Sequence, residues 1–443
     1  MNPHTFGSIH PSKASMASKT FKAFRKVLII TYYWPPGSGA GVQRWLKFSK
    51  YLPEFGWQPV ILTIDPDYAS YPATDHSLKK DIPESVKVYP TRATDYFRVL
   101  KSGKSAVPSA GFASGNEDGL KARIIRFIRG NFFIPDPRRG WNRYAFGKAC
   151  EIIENENIKH IITTSPPHSS QLIGFNLKKK YPAIRWISDL RDPWIDIYYY
   201  QKFYHTFPAR QFDKYLERKI LLSADRIITV GKSLKDLFSA KFHSIENKIE
   251  VITNGYDEED FPIQVHDIPE KFTISYIGTL SDAYPVEGLA AALSALKAGG
   301  SDFVLKFIGA VSKKQKELLL AGVSNSIEFI PYVDHEKAIR YMNESTMLLL
   351  IIPDHHSNKS ILTGKIFEYI ASGKPVLCLG PVDGDAAEIL RISEHGKSAG
   401  YNDVKGIIDI IRFYMSHPEK KDPPSEFSRR ILTGKLASVL ESS

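Results

Sequence analysis

The chain has 443 residues, 43% of them hydrophobic and 24% charged, with a formal net charge of +11 at pH 7. That length exceeds one ordinary hydrophobic core and predicts two α/β domains, while the composition excludes collagenous, coiled-coil and wholly disordered chains. The positive balance favours anionic partners (phosphates, nucleic acid or acidic lipid), and the only two cysteines, Cys150 and Cys378, lack CxxC or zinc spacing, the usage of a reducing compartment.

Residues 1–25 carry lysines but no continuous apolar stretch, so they read as a disordered basic tail rather than a signal peptide, with Met16 a second candidate start. Residues 27–31 form a short apolar run ending in turn residues, the pattern of a buried parallel strand. Gly37, Gly39 and Gly41 follow, then a helix face of Val42, Trp45, Leu46, Ser49 and Leu52 closed by Phe55-Gly56, then a strand at 59–64. This is a βαβ unit with short connections. Its glycine loop lets a ligand approach backbone N–H groups at the start of a helix, or simply makes a tight turn. A dinucleotide fingerprint would need glycine at Arg44, and no Gly-Lys-Ser/Thr of a nucleotide-triphosphate loop follows.

Residues 91–119 are rich in Ser, Gly and Ala and read as a mobile loop. Directly after it, Lys121, Arg123, Arg126 and Arg129 alternate with Ile124, Ile125, Phe127 and Ile128. As a helix over 120–129 this segment suits a membrane interface, or a surface position with its apolar stripe on the core. Further strands are expected at 160–164, 185–190, 226–230 and 250–253, and a second set at 273–277, 304–308, 327–330, 347–352 and 375–379. Alternating β and α elements predict parallel sheets covered on both faces. The polar stretch 258–270 divides an N-terminal domain, 26–257, from a C-terminal domain, 271–423, and a helix within 424–443 packs back on the body. The strongest apolar run, 347–352, is far below the ~20 residues needed to cross a bilayer.

Two strand ends in the first set carry reactive groups. His168 follows the 160–164 strand on a loop, where open α/β sheets place ligands. Asp189, Arg191 and Asp192 end the next strand; their carboxylates can bind acceptor hydroxyls or pair with Arg191 to shape the loop. Residues 134–141 form another polar-aromatic loop with no assigned chemistry. In the second set, Thr363 is a good N-cap that leaves Gly364 and Lys365 in the first turn of a helix. Lys365, Glu368 and Ser372 share one face of that helix, with Ile366 and Ile370 turned into the domain. A cation at a helix start meets a diphosphate, and a carboxylate one turn on can accept bonds from two ribose hydroxyls.

Several stretches resemble the family 4 retaining glycosyltransferases of GT-B fold. Glu368-Tyr-Ile-Ala-Ser-Gly-Lys-Pro-Val resembles their E-A-x-A-x-G-x-P-V signature, and Asn254-Gly-Tyr-Asp257 their N-G-V-D. Ala224-Asp-Arg-Ile-Ile-Thr-Val230 resembles the strand before it, and Tyr276-Ile-Gly-Thr-Leu280 the opening of the C-terminal domain. Arg191-Asp-Pro-Trp194 matches a subset of these enzymes. The resemblance implies two Rossmann-like domains facing across a cleft, and transfer of a sugar from a nucleoside-diphosphate sugar to a hydroxyl of a glycan or lipid-linked acceptor, in cell-surface polysaccharide synthesis. Taken together with the residues read above, it points to Gly39, Gly41, Gly278, Thr279, Thr363, Gly364, Lys365, Glu368 and Glu388 for the donor, to Asp189, Arg191 and Asp192 for the acceptor unless they only shape their loop, and to His168 and Lys365 for catalysis.

The sequence departs from the pattern in places. Ser360 replaces the first glutamate of the family's paired motif, and Thr279 replaces the usual diphosphate-binding arginine, so Lys365 must substitute, with Lys359 and Arg44 next in line. No D-x-D motif appears in a plausible loop, no His/Cys ligand cluster occurs, and no metal or cofactor is expected. A cytoplasmic protein, peripheral at the inner face of an anionic membrane and without a nucleic-acid partner, fits this reading. The rivals are a GT-B sugar-nucleotide epimerase and a basic nucleic-acid-binding protein; the latter calls for a basic aromatic stripe, whereas the charges here are scattered.

Overall fold

The computed structural model describes residues 24–94, 119–197, 200–261, 270–418 and 420–442. Nearly all of the tail expected over 1–25, most of the loop expected over 91–119 and most of the linker at 258–270 lie outside the described residues.

The first apolar runs become a seven-stranded parallel sheet: β1 (Arg25–Ile30), β2 (Trp57–Ile64), β3 (Lys87–Thr91), β4 (His160–Ser165), β5 (Arg185–Leu190), β6 (Arg226–Thr229) and β7 (Ile249–Val251), in the order β3-β2-β1-β4-β5-β6-β7. The second set forms six parallel strands: β8 (Phe272–Ile277), β9 (Phe303–Ile308), β10 (Ile327–Ile330), β11 (Met347–Ile351), β12 (Val376–Leu379) and β13 (Gly396–Ala399), in the order β10-β9-β8-β11-β12-β13. Strand order reverses between β1 and β4 and again between β8 and β11. Those are the two switch points at which open α/β sheets bind ligands.

Helices cover both faces of each sheet, so the strands are buried on both sides and read as near-continuous apolar runs. In the helix Ala40–Tyr51 the face of Val42, Trp45, Leu46 and Ser49 is fully buried. The terminal helix, Arg429–Glu441, returns to the N-terminal domain, where Leu432, Leu436 and Leu440 join Trp45 and Phe48 in one core. The chain crosses between domains beside Asp257, which accepts hydrogen bonds from Tyr51 and Lys50 and pairs with Lys47 at 2.8 Å. Among the described residues, no helix is long and apolar enough to cross a membrane.

Candidate active site

The carboxyl ends of both sheets face each other. Gly39 (φ +101°) opens the Ala40–Tyr51 helix after β1, and a Cβ at Gly364 of the C-terminal domain would lie 3.4 Å from Ala40 Cβ. Further along, Asp385 reaches from beyond β12 to Ser233 of the N-terminal domain, accepting from its N–H at 3.1 Å and its hydroxyl at 2.8 Å. Asp385 was not legible as a cross-domain contact, because its partner lies 152 residues away in sequence.

On the C-terminal side the helix is Lys365–Ala371, anchored to the end of β8 by the Tyr369 hydroxyl, which accepts from Ile277 N–H at 3.0 Å. Thr363 is not its N-cap. Gly364 holds that position, and the Thr363 Oγ1 is buried with no partner among the described residues. A helix of seven residues carries little macrodipole, so the positive charge at this end is Lys365 itself. Its ammonium lies 4.9 Å over the Tyr276 ring and makes no hydrogen bond or ion pair among the described residues. Burial pushes it down to about 8, with Glu368 pulling the other way. Gly278, at φ +133°, ends β8 against this lysine: a Cβ there would overlap Lys365 Nζ, so only glycine allows the approach. Thr279 follows, exposed, its carbonyl accepting from the Tyr276 hydroxyl.

Glu368, one turn along the same face, also lacks a hydrogen bond or ion pair among the described residues. Burial raises its carboxyl above the usual range, and the nearby His335 counters this most strongly. His335 was missed in the sequence. It lies 3.7 Å from Asp260, and the bond to that carboxylate raises its own pKa.

On the N-terminal side a cavity of about 450 Å³ opens beside the glycine loop, and Gly39, Gly41, His168, Arg191 and Asp192 all line it. Arg191 lies so close to Gly41 that a Cβ there would overlap its guanidinium. His168 is buried, stacked on Trp194 at 4.8 Å, with both ring nitrogens unpartnered among the described residues. Burial lowers its pKa to about 4, so the ring is a neutral hydrogen-bonding group at neutral pH. Asp192 is half-buried, and desolvation raises its pKa.

Two family models match the chain: glycosyltransferase family 4 over residues 40–260 and glycosyl transferases group 1 over residues 271–417. Together they span both domains and both halves of the cleft. The chain belongs to the GT-B glycosyltransferases. Solved structures agree on the fold. HepE of Anabaena, in complex with UDP, superposes with a TM-score of 0.59 at 14% identity over 94% of this chain and 100% of that one. Sucrose-phosphate synthase of Thermosynechococcus elongatus gives 0.54 at 15% identity over 94% of each chain. The lipopolysaccharide outer core galactosyltransferase WaaB gives 0.57 at 12% identity over 94% and 99%. No curated protein matches the sequence.

Four further expectations for this glycosyltransferase are corrected. Asp189 is fully buried and does not reach an acceptor: its carboxylate accepts from Arg44 at 3.1 Å, Trp45 Nε1 at 3.1 Å and the Thr164 hydroxyl at 2.8 Å. Arg44 is therefore committed to that network and to the Thr253 carbonyl, and is no reserve cation for the diphosphate. Glu388 points to the surface, in a bidentate pair with Arg391 at 2.7 Å, and Lys359 pairs with Asp383. Other residues emerge only in three dimensions. Asp136, from the 134–141 loop, caps the helix Ser169–Lys180 by accepting from Ser169 N–H at 2.7 Å. Asp213 accepts from Trp194 Nε1 at 2.7 Å and Tyr200 at 2.9 Å, its pKa pushed up to about 6 by burial. The polar-aromatic composition of 134–141 was the one available signal for this wall.

Proposed function

We propose that the enzyme transfers a sugar, with retention of anomeric configuration, from a nucleoside-diphosphate sugar to a hydroxyl of a glycan or lipid-linked acceptor in cell-surface polysaccharide synthesis. Lys365, rather than a metal ion, answers the diphosphate, and Glu368 takes the ribose hydroxyls. The observation that carries the reading is this pair: a cation and a carboxylate on one helix face, neither with a side-chain hydrogen bond or ion pair among the described residues, opposite the N-terminal glycine loop. HepE, of the same fold, is solved with UDP and with UDP and glucose. His168 and Asp192 then face the acceptor side of the reacting centre. The protein's work is positioning and electrostatic stabilisation of the departing diphosphate.

Glu368→Ala is expected to weaken nucleotide binding without unfolding the domain, since each charge-assisted bond to ribose contributes roughly 1.5–3 kcal/mol. A thermal-shift series with UDP, GDP and dTDP checks this and identifies the base. Equal shifts for variant and wild type would move the donor site elsewhere.

The enzyme docks, in this reading, on the cytoplasmic face of an anionic membrane. The helix Leu120–Phe132 does not turn its apolar residues inward: Leu120 is 75% exposed and Phe132 67%, with Ile124, Ile125 and Phe127 also exposed. Asn131 ties the helix to the Tyr204 carbonyl and Thr206, beside Phe207, itself 74% exposed. Arg123 and Arg126 stand among these side chains, the charge that acidic headgroups attract. Wild type should float with phosphatidylglycerol vesicles, and less so as salt rises. The double change Arg123→Glu, Arg126→Glu should abolish most of this; unchanged flotation would remove the helix from the account.

A further inference from the structure

Where the chain crosses between domains, charged groups from both domains meet. Asp257 pairs with Lys47 at 2.8 Å and Lys50 at 3.0 Å, and accepts from the Tyr51 hydroxyl. Asp260, in the turn Glu258–Asp260, pairs with Lys47 at 3.3 Å and meets His335 Nε2 at 3.7 Å; Lys47 also pairs with Asp81. Glu368 faces this cluster from the helix Lys365–Ala371 and is half-buried. Four charges act on it. His335 from the helix His335–Asn343, Arg429 from the terminal helix and Lys365 from its own helix favour the ionised carboxylate, and Asp260 opposes it. Of Asp257, Asp260 and Glu368, only Glu368 makes no side-chain hydrogen bond or ion pair among the described residues.

Arg429 is the matching cation. It opens the terminal helix after the Ser428 cap, and its backbone N–H donates to the Tyr256 carbonyl at 2.7 Å. Phe427, just before it, packs on Phe367 of the Glu368 helix with ring centroids 5.4 Å apart. A Cβ on Gly255 would overlap the Phe427 carbonyl, so the crossover and the start of the terminal helix run in direct contact. The Arg429 guanidinium lies 5.9 Å over the Phe48 ring, is only 4% exposed, and makes no side-chain hydrogen bond or ion pair among the described residues; its Nη1 is buried without an acceptor. Arg44 repels it, while Glu368, Asp257 and Asp260 attract it. Burying a charge without a bonded partner is unfavourable, and an apolar side chain of similar length would avoid that cost beside Phe48. Asp257 and Asp260 hold cations of their own, so the carboxylate that this charge serves is Glu368.

We propose that Arg429 and His335 are positioning residues of the donor site, which keep the Glu368 carboxylate ionised to accept from the ribose hydroxyls of the nucleotide. Arg429 belongs to a helix rooted in the N-terminal core, so both domains complete the nucleotide site. This rests on the reading of Glu368 as the ribose carboxylate and deepens it.

The probes are UDP and 2′-deoxy-UDP, with GDP and 2′-deoxy-GDP as the second pair, titrated calorimetrically into the full-length protein from neutral to acid pH. Both members of a pair carry the same diphosphate, so the ratio of their dissociation constants cancels the titration of the phosphates and of Lys365 and reads the bond to ribose. Wild type is expected to prefer the ribonucleotide by about tenfold or more near neutral pH, the scale of one charge-assisted bond. The preference should fade as pH drops and Glu368 takes up a proton, which burial places above the usual carboxylate range. In Arg429→Met and in His335→Gln it should fade at higher pH, because each removes a cation that favours the ionised form. Arg429→Lys, which keeps the charge, should restore the wild-type profile. Arg429→Met should also keep or raise the urea midpoint, which loss of a structural arginine would not. An unshifted profile in both variants, or in His335→Gln alone if Arg429→Met does not fold, overturns the proposal. Glu368→Gln separates the two readings. If it abolishes the preference while the other variants leave the profile unmoved, only this proposal falls. If it discriminates as wild type does, or wild type shows no preference, the ribose assignment falls and the proposal with it.

Discussion

Lys365→Ala is expected to lower kcat by about 10²-fold or more, the scale of removing one donor from an oxyanion site. The leaving diphosphate gains negative charge as the glycosidic bond breaks, and Thr279, which stands where the family places an arginine, cannot neutralise it. The two other basic residues that the sequence offers are committed, Arg44 to Asp189 and Lys359 to Asp383. On the proposed donor assignment, Lys365 meets the separating charge more strongly than the bound donor, so turnover should suffer more than affinity. Its ammonium also titrates in a useful range. With burial holding it near 8, kcat/KM for the free enzyme should fall as pH rises through that value, because the deprotonated amine no longer attracts phosphate. Lys365→Arg should remove this alkaline limb, since guanidinium stays charged, while restoring only part of kcat because a planar fork replaces a point charge against Gly278. A pH profile of initial rates with saturating acceptor checks both statements. Near-normal turnover in Lys365→Ala would place the compensating cation elsewhere.

How much of this was readable in the sequence follows from how local each signal is. Parallel strands buried on both faces are apolar runs, and most were visible as such. The two strands missed are edge strands. β3 carries Lys87 and Pro90 and is half exposed, and β13 is Gly-Lys-Ser-Ala with one buried apolar residue. The pairing of Lys365 with Glu368 is a matter of helical spacing, which needs no tertiary knowledge. Thr363 shows the limit even there: cap propensity favoured it, but the turn that leads in from Asn358–Ser360 brings the chain to the helix with Gly364 at the cap. The segment 120–129 has the same amphipathic pattern whether its apolar stripe meets core or solvent, and only the packing of its neighbours separates the two. Asp189 was unreadable for a stronger reason. The arginine that buries it is 145 residues earlier, and nothing in Asp-Leu-Arg-Asp distinguishes the inward carboxylate from the outward one.

That distinction makes the second large effect. Asp189→Ala should destabilise the N-terminal domain by about 3–5 kcal/mol, because it leaves the wholly buried Arg44 guanidinium without its counter-charge. Burial already disfavours the charged form of Arg44, and Asp189 is the partner that offsets this most. The carboxylate also receives Trp45 Nε1 and the Thr164 hydroxyl, so two further buried donors lose their acceptor. Asp189→Asn keeps the volume but sets an amide NH₂ against one side or the other of a ring of donors, and should be destabilising too. Asp192→Asn, two residues on and half-buried in the cavity wall, should leave stability nearly unchanged and raise KM for the acceptor. Urea unfolding followed by tryptophan fluorescence reads the first effect, since Trp45 and Trp186 both lie in this domain's core. UDP binding monitors the C-terminal domain, which carries Lys365 and Glu368 and should hold its nucleotide while the N-terminal domain loosens. If Asp189→Asn unfolds at the wild-type midpoint and changes only acceptor KM, the buried network is dispensable and Asp189 returns to the acceptor site.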